Sequence, residues 1–81
     1  MEHLEIFDKL KNILFNVFND ESITITEASS SDTIEEWDSL AHVQIVNDIQ
    51  KAFGIKISAR EMMDWDTVGD IIDTISEKIN G

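Results

Sequence analysis

Three stretches of this 81-residue chain repeat their apolar side chains at helical spacing, and that periodicity limits the possible folds more than any other feature. From Glu2 to Asn19, Leu4, Phe7, Leu10, Leu14, Val17 and Phe18 recur on one stripe, widened by Ile6 and Ile13. The pattern predicts a long amphipathic helix. From Ser39 to Phe53, Leu40, Val43, Val46, Ile49 and Phe53 repeat the scheme with Ile45 beside them, and after Thr67 so do Val68, Ile71, Ile72, Ile75 and Ile79.

Helix punctuation agrees with the periodicity. Gly54 can take the left-handed position that ends the second helix, with Ile55 folding back as the apolar contact behind it. Ser58 and Glu61 have capping-box spacing, which predicts a short helix from there to near Asp64. Thr67 caps the last helix and Asp70 falls in its first turn.

Between the first two helices the pattern fails. The stretch NDESITITEASSSD is rich in residues whose side chains compete for backbone hydrogen bonds. SITIT alternates, but a lone strand in a helical chain has no partner. An extended loop pinned to the core by Ile23 and Ile25 is therefore expected. The expected fold is all-α: a small antiparallel four-helix bundle of residues 1–81 as one domain, with three long helices, a short third one and a long first loop. So long a connection in a small domain tends to be functional.

Bulk properties narrow the function. Seventeen acidic and six basic residues give a formal net charge of −11, which repels phosphate backbones and argues against nucleic acid. Such a surface is steered instead towards proteins with basic patches. With no cysteine the chain has neither disulfide nor thiolate. No apolar run is long enough for a bilayer span, so a cytoplasmic, monomeric protein is expected.

The sharpest local signal is WDSL at residues 37–40. His42 follows Ser39 by one turn and Asp38 precedes it, but a hydrolase would also need an oxyanion hole and a pocket, which the sequence does not offer. DWDTVGD places Asp64, Asp66 and Gly69 as a calcium loop would, yet has Val68 and Ile75 where oxygen ligands are needed, so no metal site is expected. Asp38 or Ser39 caps the second helix, and an exposed hydroxyl at that positive terminus is well placed to bear a phosphate ester.

DSL opening a helix that ends in FGI (53–55), followed by TVGD (67–70) opening the last helix, resembles the acyl carrier protein family of phosphopantetheine-binding domains. The resemblance covers nearly the whole chain, long loop included. It implies that the chain is not an enzyme. It implies that Ser39, flanked by Asp38 and Leu40, receives 4′-phosphopantetheine from coenzyme A through a phosphopantetheinyl transferase. The arm's thiol would then carry acyl groups among acyl-transferring or acyl-modifying enzymes with basic docking patches. An aminoacyl or peptidyl carrier is the alternative, and a non-carrier acidic adaptor a more distant one.

Departures from the family pattern carry information too. Trp37 stands where many carriers have glycine, and packing on the first loop is its expected role. The outward positions of the second helix are read as Ala41, His42, Gln44, Asn47, Asp48, Gln50 and Lys51, with Asp48 the one acid among them. Glu35, Glu36, Asp48, Glu61 and Asp64 are the expected partner contacts, and a specialised rather than housekeeping fatty-acid carrier is implied. Val43, Val46, Ile57, Met62 and Met63 are the candidate lining of an acyl groove between helices 2 and 3.

Overall fold

The computed structural model describes residues 2–80 and contains four helices: α1 (His3–Phe18), α2 (Ser39–Phe53), α3 (Ala59–Met63) and α4 (Val68–Asn80). No strand occurs among the described residues, and SITIT is extended loop. The chain forms a small helical bundle in which α1 packs against both α2 and α4.

The core is largely isoleucine and leucine. Ile6, Leu10 and Leu14 from α1, Ile45 and Ile49 from α2, and Val68, Ile71, Ile72 and Ile75 from α4 are fully buried. Each such aliphatic side chain contributes about 1.5–3 kcal/mol relative to an exposed position.

Two expected stripes are rotated. Leu40 is 79 % exposed and Val43 50 %, while Ala41, expected to face outward, is buried with Ile45, Val46 and Ile49. At about 100° per residue, Leu40 lies half a turn away from Ile49, so the two cannot share a face. Leu4, 65 % exposed, likewise falls outside the α1 face built from Ile6, Leu10, Ile13, Leu14 and Phe18.

The helix ends follow local chemistry. Gly54 sits at φ +64 and its amide returns to the Gln50 carbonyl, as does that of Ile55. Ser58 Oγ accepts from the Glu61 amide and Glu61 Oε1 from the Ser58 amide, closing a full capping box. A similar exchange opens α4, where Asp70 Oδ2 accepts from the Thr67 amide and Thr67 Oγ1 from the Asp70 amide.

The long loop is ordered by its own hydroxyls and by α4. Ser29 and Ser30 are buried. Ser29 Oγ accepts from the Thr26 amide at 2.9 Å, and Thr33 Oγ1 accepts from the Ser30 amide at 2.9 Å. The Val68 and Gly69 amides donate to the Ser29 and Glu27 carbonyls at 2.8 and 2.9 Å. Loop backbone thus satisfies the first amides of α4, which no intrahelical partner can reach. Ile25 is buried and Ile23 packs on the core beside it, as expected of the residues that pin this loop.

Candidate functional site

The loop delivers its last residues to the start of α2. The Trp37 amide donates to Ile34 O at 3.1 Å, and Ile34 and Trp37 are both buried. This leaves Asp38 extended, at φ −96 and ψ −175, as the N-cap, with Oδ1 accepting from the Ala41 amide at 2.8 Å. The cap is therefore Asp38, and Ser39 is the first helical residue, exposed. The first intrahelical bond runs from the His42 amide to Asp38 O at 2.9 Å. The Ser39 and Leu40 amides precede it and point out of the helix end, where a phosphate can accept from them.

Beside Ser39 lies a groove of ≈ 580 Å³, lined also by Ser31, Trp37, Asp38, His42, Val43 and Met62. Of the five residues expected to form an acyl groove, Val43 and Met62 line it. Val46 is buried, Ile57 is half-buried against the core, and Met63 is 79 % exposed.

Trp37 is 6 % exposed, so its role in packing is plain. Its indole also holds the site together. Trp37 Nε1 donates to His42 Nδ1 at 3.0 Å, and the rings stack with centroids 6.1 Å apart and 27° between planes. A nitrogen that accepts from an indole N–H carries no proton. The imidazole proton therefore sits on Nε2, facing the Met62 carbonyl at 3.4 Å. Trp65 meets the other side of the imidazole edge-on at 5.9 Å and donates from Nε1 to Thr74 Oγ1 on α4 at 2.9 Å. The loop, α2, α3 and α4 are joined through this one histidine.

The acidic residues divide into engaged and free. Glu35, Glu36 and Asp64 are exposed, and Asp48 is half-buried. Glu61 is occupied internally. The Ser58 amide donates to it and Lys78 Nζ pairs with it at 2.9 Å, and these two, in that order, hold its carboxyl below the ordinary glutamate range. Among the described residues, no group of His, Asp and Glu side chains is arranged to hold a metal ion, and no helix is long and apolar enough to cross a membrane.

Residues 35–75 match the family model of the phosphopantetheine attachment site. Across nearly the whole length the chain is similar to acyl carrier proteins. It is 37 % identical to that of Thermotoga maritima, covering 93 % of each chain. It is 32 % identical to that of Coprothermobacter proteolyticus, covering 98 % of this chain and 96 % of the relative. The chain belongs to the acyl carrier protein family. The holo acyl carrier protein of Geobacter metallireducens, solved in solution, superimposes with a TM-score of 0.84 at 33 % identity, over 90 % of this chain and 84 % of that one.

The prosthetic group of this acyl carrier protein is thus 4′-phosphopantetheine. The helix end fits it: an exposed hydroxyl, two outward amides and an adjoining groove meet there. The sequence alone does not single out Ser31, Trp65 or Thr74. Ser31 is hidden in a run of serines, and the only sign of Trp65 is an aromatic ring two residues before the α4 cap Thr67.

Proposed function

We propose that Ser39 is the attachment residue and that this acyl carrier protein delivers thioester-bound acyl groups to partner enzymes. The observation that carries this reading is an exposed serine at the first position of α2 whose cap is supplied by its neighbour Asp38. The hydroxyl is therefore free for esterification without loss of the helix. When bound, the prosthetic group supplies the thiol that holds the cargo. Asp38 sets the turn, the Ser39 and Leu40 amides would hold the phosphate of the bound group, and Trp37 and His42 fix the loop beside it.

The chain itself catalyses nothing in this reading. Both ring nitrogens of His42 are engaged, by Trp37 and by the Met62 carbonyl, which leaves no base for Ser39. The transfer from coenzyme A belongs to a separate phosphopantetheinyl transferase. Incubation with coenzyme A, magnesium and a broad-specificity transferase is expected to add one phosphopantetheine to the intact mass. Ser39→Ala should stay unmodified and fully helical. No gain with several transferases, or a gain in Ser39→Ala, would sink the assignment.

We also infer a specialised docking mode, with the protein working as a single cytoplasmic monomeric domain. The face of α2 beside Ser39 presents Leu40 and Val43, both exposed, while the exposed carboxylates Glu35 and Glu36 precede α2 in the chain, Asp64 ends α3, and Glu61 is tied to Lys78. Steering by these acids raises encounter rates with basic partners, and the apolar pair decides which partner stays. Titration against a fatty-acid ketosynthase with a basic docking patch should give weaker binding than the housekeeping carrier gives. Equal affinity that salt abolishes would contradict a specialised role.

A further inference from the structure

The start of α2 is tied to the rest of the chain through one imidazole. Trp37, His42 and Trp65 stand in a row, with successive ring centroids 6.1 and 5.9 Å apart. Trp37 comes from the long loop, His42 from α2 one turn after Ser39, and Trp65 from the connection between α3 and α4. Trp37 Nε1 donates to His42 Nδ1 at 3.0 Å, and His42 Nε2 faces the Met62 carbonyl of α3 at 3.4 Å. Trp37, His42 and Met62 also line the groove beside Ser39. This arrangement fits one protonation state, with Nδ1 bare to accept from the indole and the single proton on Nε2.

A second proton can enter the ring only at Nδ1. An imidazolium donates from both nitrogens, so two N–H groups would then point at each other across 3.0 Å. Trp37 is 6 % exposed, and an indole N–H that loses this acceptor is left unpaired in the interior. A buried donor without an acceptor is costly, which drives the two rings apart. The charged side chains lining the two cavities that touch the ring are Asp38, the cap of α2, and Asp66, from the connection before α4. Their charge favours a protonated ring, yet it supplies no acceptor to the indole. The loop and α3 meet the ring with uncharged groups, Ser31 and Trp37 from the one and Met62 from the other.

We infer that His42 is a proton-sensitive joint: neutral, it holds the long loop and α3 against the start of α2, and protonated, it releases them. The bond contributes where the imidazole is neutral and is lost as pH falls. The joint stands without attachment at Ser39, whereas its effect on loading rests on that reading.

The test follows the Trp37 indole N–H by NMR in the unmodified chain, from about pH 8 to about pH 5, the range in which imidazoles gain a proton. His42→Asn is the reference, because its side-chain oxygen takes the place of Nδ1 as acceptor and does not titrate. Comparison at equal pH cancels the titration of the carboxylates and of His3, which lies beside Glu27. Exchange of the wild-type indole proton relative to His42→Asn should become roughly tenfold faster towards the acid end, as the loss of one buried hydrogen bond implies. A ratio that stays flat would overturn the inference.

Trp37→Phe supplies a second comparison, since it keeps a ring against His42 and removes the donor. The melting temperature of the wild type relative to Trp37→Phe should fall from neutral to acid pH. An equal fall in both would show that the indole bond is not what responds to the proton, and would also overturn the joint. Should His42→Asn fail to fold, this comparison decides. Loading by a transferase, read by intact mass, gives the consequence at Ser39. A loosened loop has to be ordered again when an enzyme docks, so wild-type loading relative to His42→Asn should slow several-fold at the acid end. Equal relative rates at both ends would remove the effect on Ser39. A mass that changes in neither protein would sink the attachment alone, and the indole ratio would still decide the joint.

Discussion

At the scale of single residues, the start of α2 separates two roles that the sequence leaves joined. In WDSL either Asp38 or Ser39 could cap, and only geometry assigns the carboxylate to the Ala41 amide. Asp38→Ala should therefore destabilise the fold by about 1 kcal/mol, the ordinary cost of a lost N-cap. Ser39→Ala should cost far less, because the serine is exposed and caps nothing. Chemical denaturation of the two variants checks this, and a larger loss in Ser39→Ala would reverse the assignment. The Trp37–His42–Trp65 row is illegible in the sequence for a different reason. Its members are 5 and 23 residues apart, and no periodic signal connects a loop, a helix and a connection. Leu40 and Val43 mislead because apolar residues encircle the first turns of α2, so pattern alone does not choose the buried side. Both are exposed beside Ser39, where the proposed function puts the contact with partner enzymes.

At the scale of elements, the short α3 illustrates what the sequence shows well. Its capping box is readable because both residues lie within four positions of each other, and the interaction is local. What the sequence does not show is that Glu61 also reaches Lys78 on α4. Five residues cannot sustain a helix alone, so α3 depends on its cap and on that tether. Glu61 has its folded-state pKa lowered, first by the Ser58 amide and then by Lys78. A lowered carboxyl contributes stability above its ordinary value and loses it as pH falls through the folded value. The melting temperature of the wild-type protein relative to Glu61→Gln should therefore fall as pH drops below 4.5, and level off above it. Thermal melts of both proteins across that range isolate this one group from the other acids, which titrate equally in each. A difference independent of pH would mean that the carboxylate charge does not hold α3.

At the scale of the molecule, charge opposes what packing holds together. The excess of eleven negative charges is spread over a body measuring 32 × 25 × 21 Å. At about 0.01 M ionic strength the screening length is roughly 30 Å, so carboxylates across the whole surface repel one another. At about 0.15 M it is roughly 8 Å, and only neighbours still interact. Unfolding spreads the charges apart, so repulsion destabilises the compact state most at low salt. Salt also weakens the attractive pairs, but the Lys78–Glu61 ion pair and the His3–Glu27 contact found among the described residues lie at the surface, where such pairs contribute little. Repulsion among many outweighs attraction between few. The melting temperature is thus expected to rise as sodium chloride increases over this range, steeply at first and then flattening as the screening length falls below the spacing between carboxylates. A falling melting temperature would place the balance with the ion pairs instead. The same screening should slow association with basic partners, so that the conditions that make this carrier most stable are those in which it finds its enzymes least quickly.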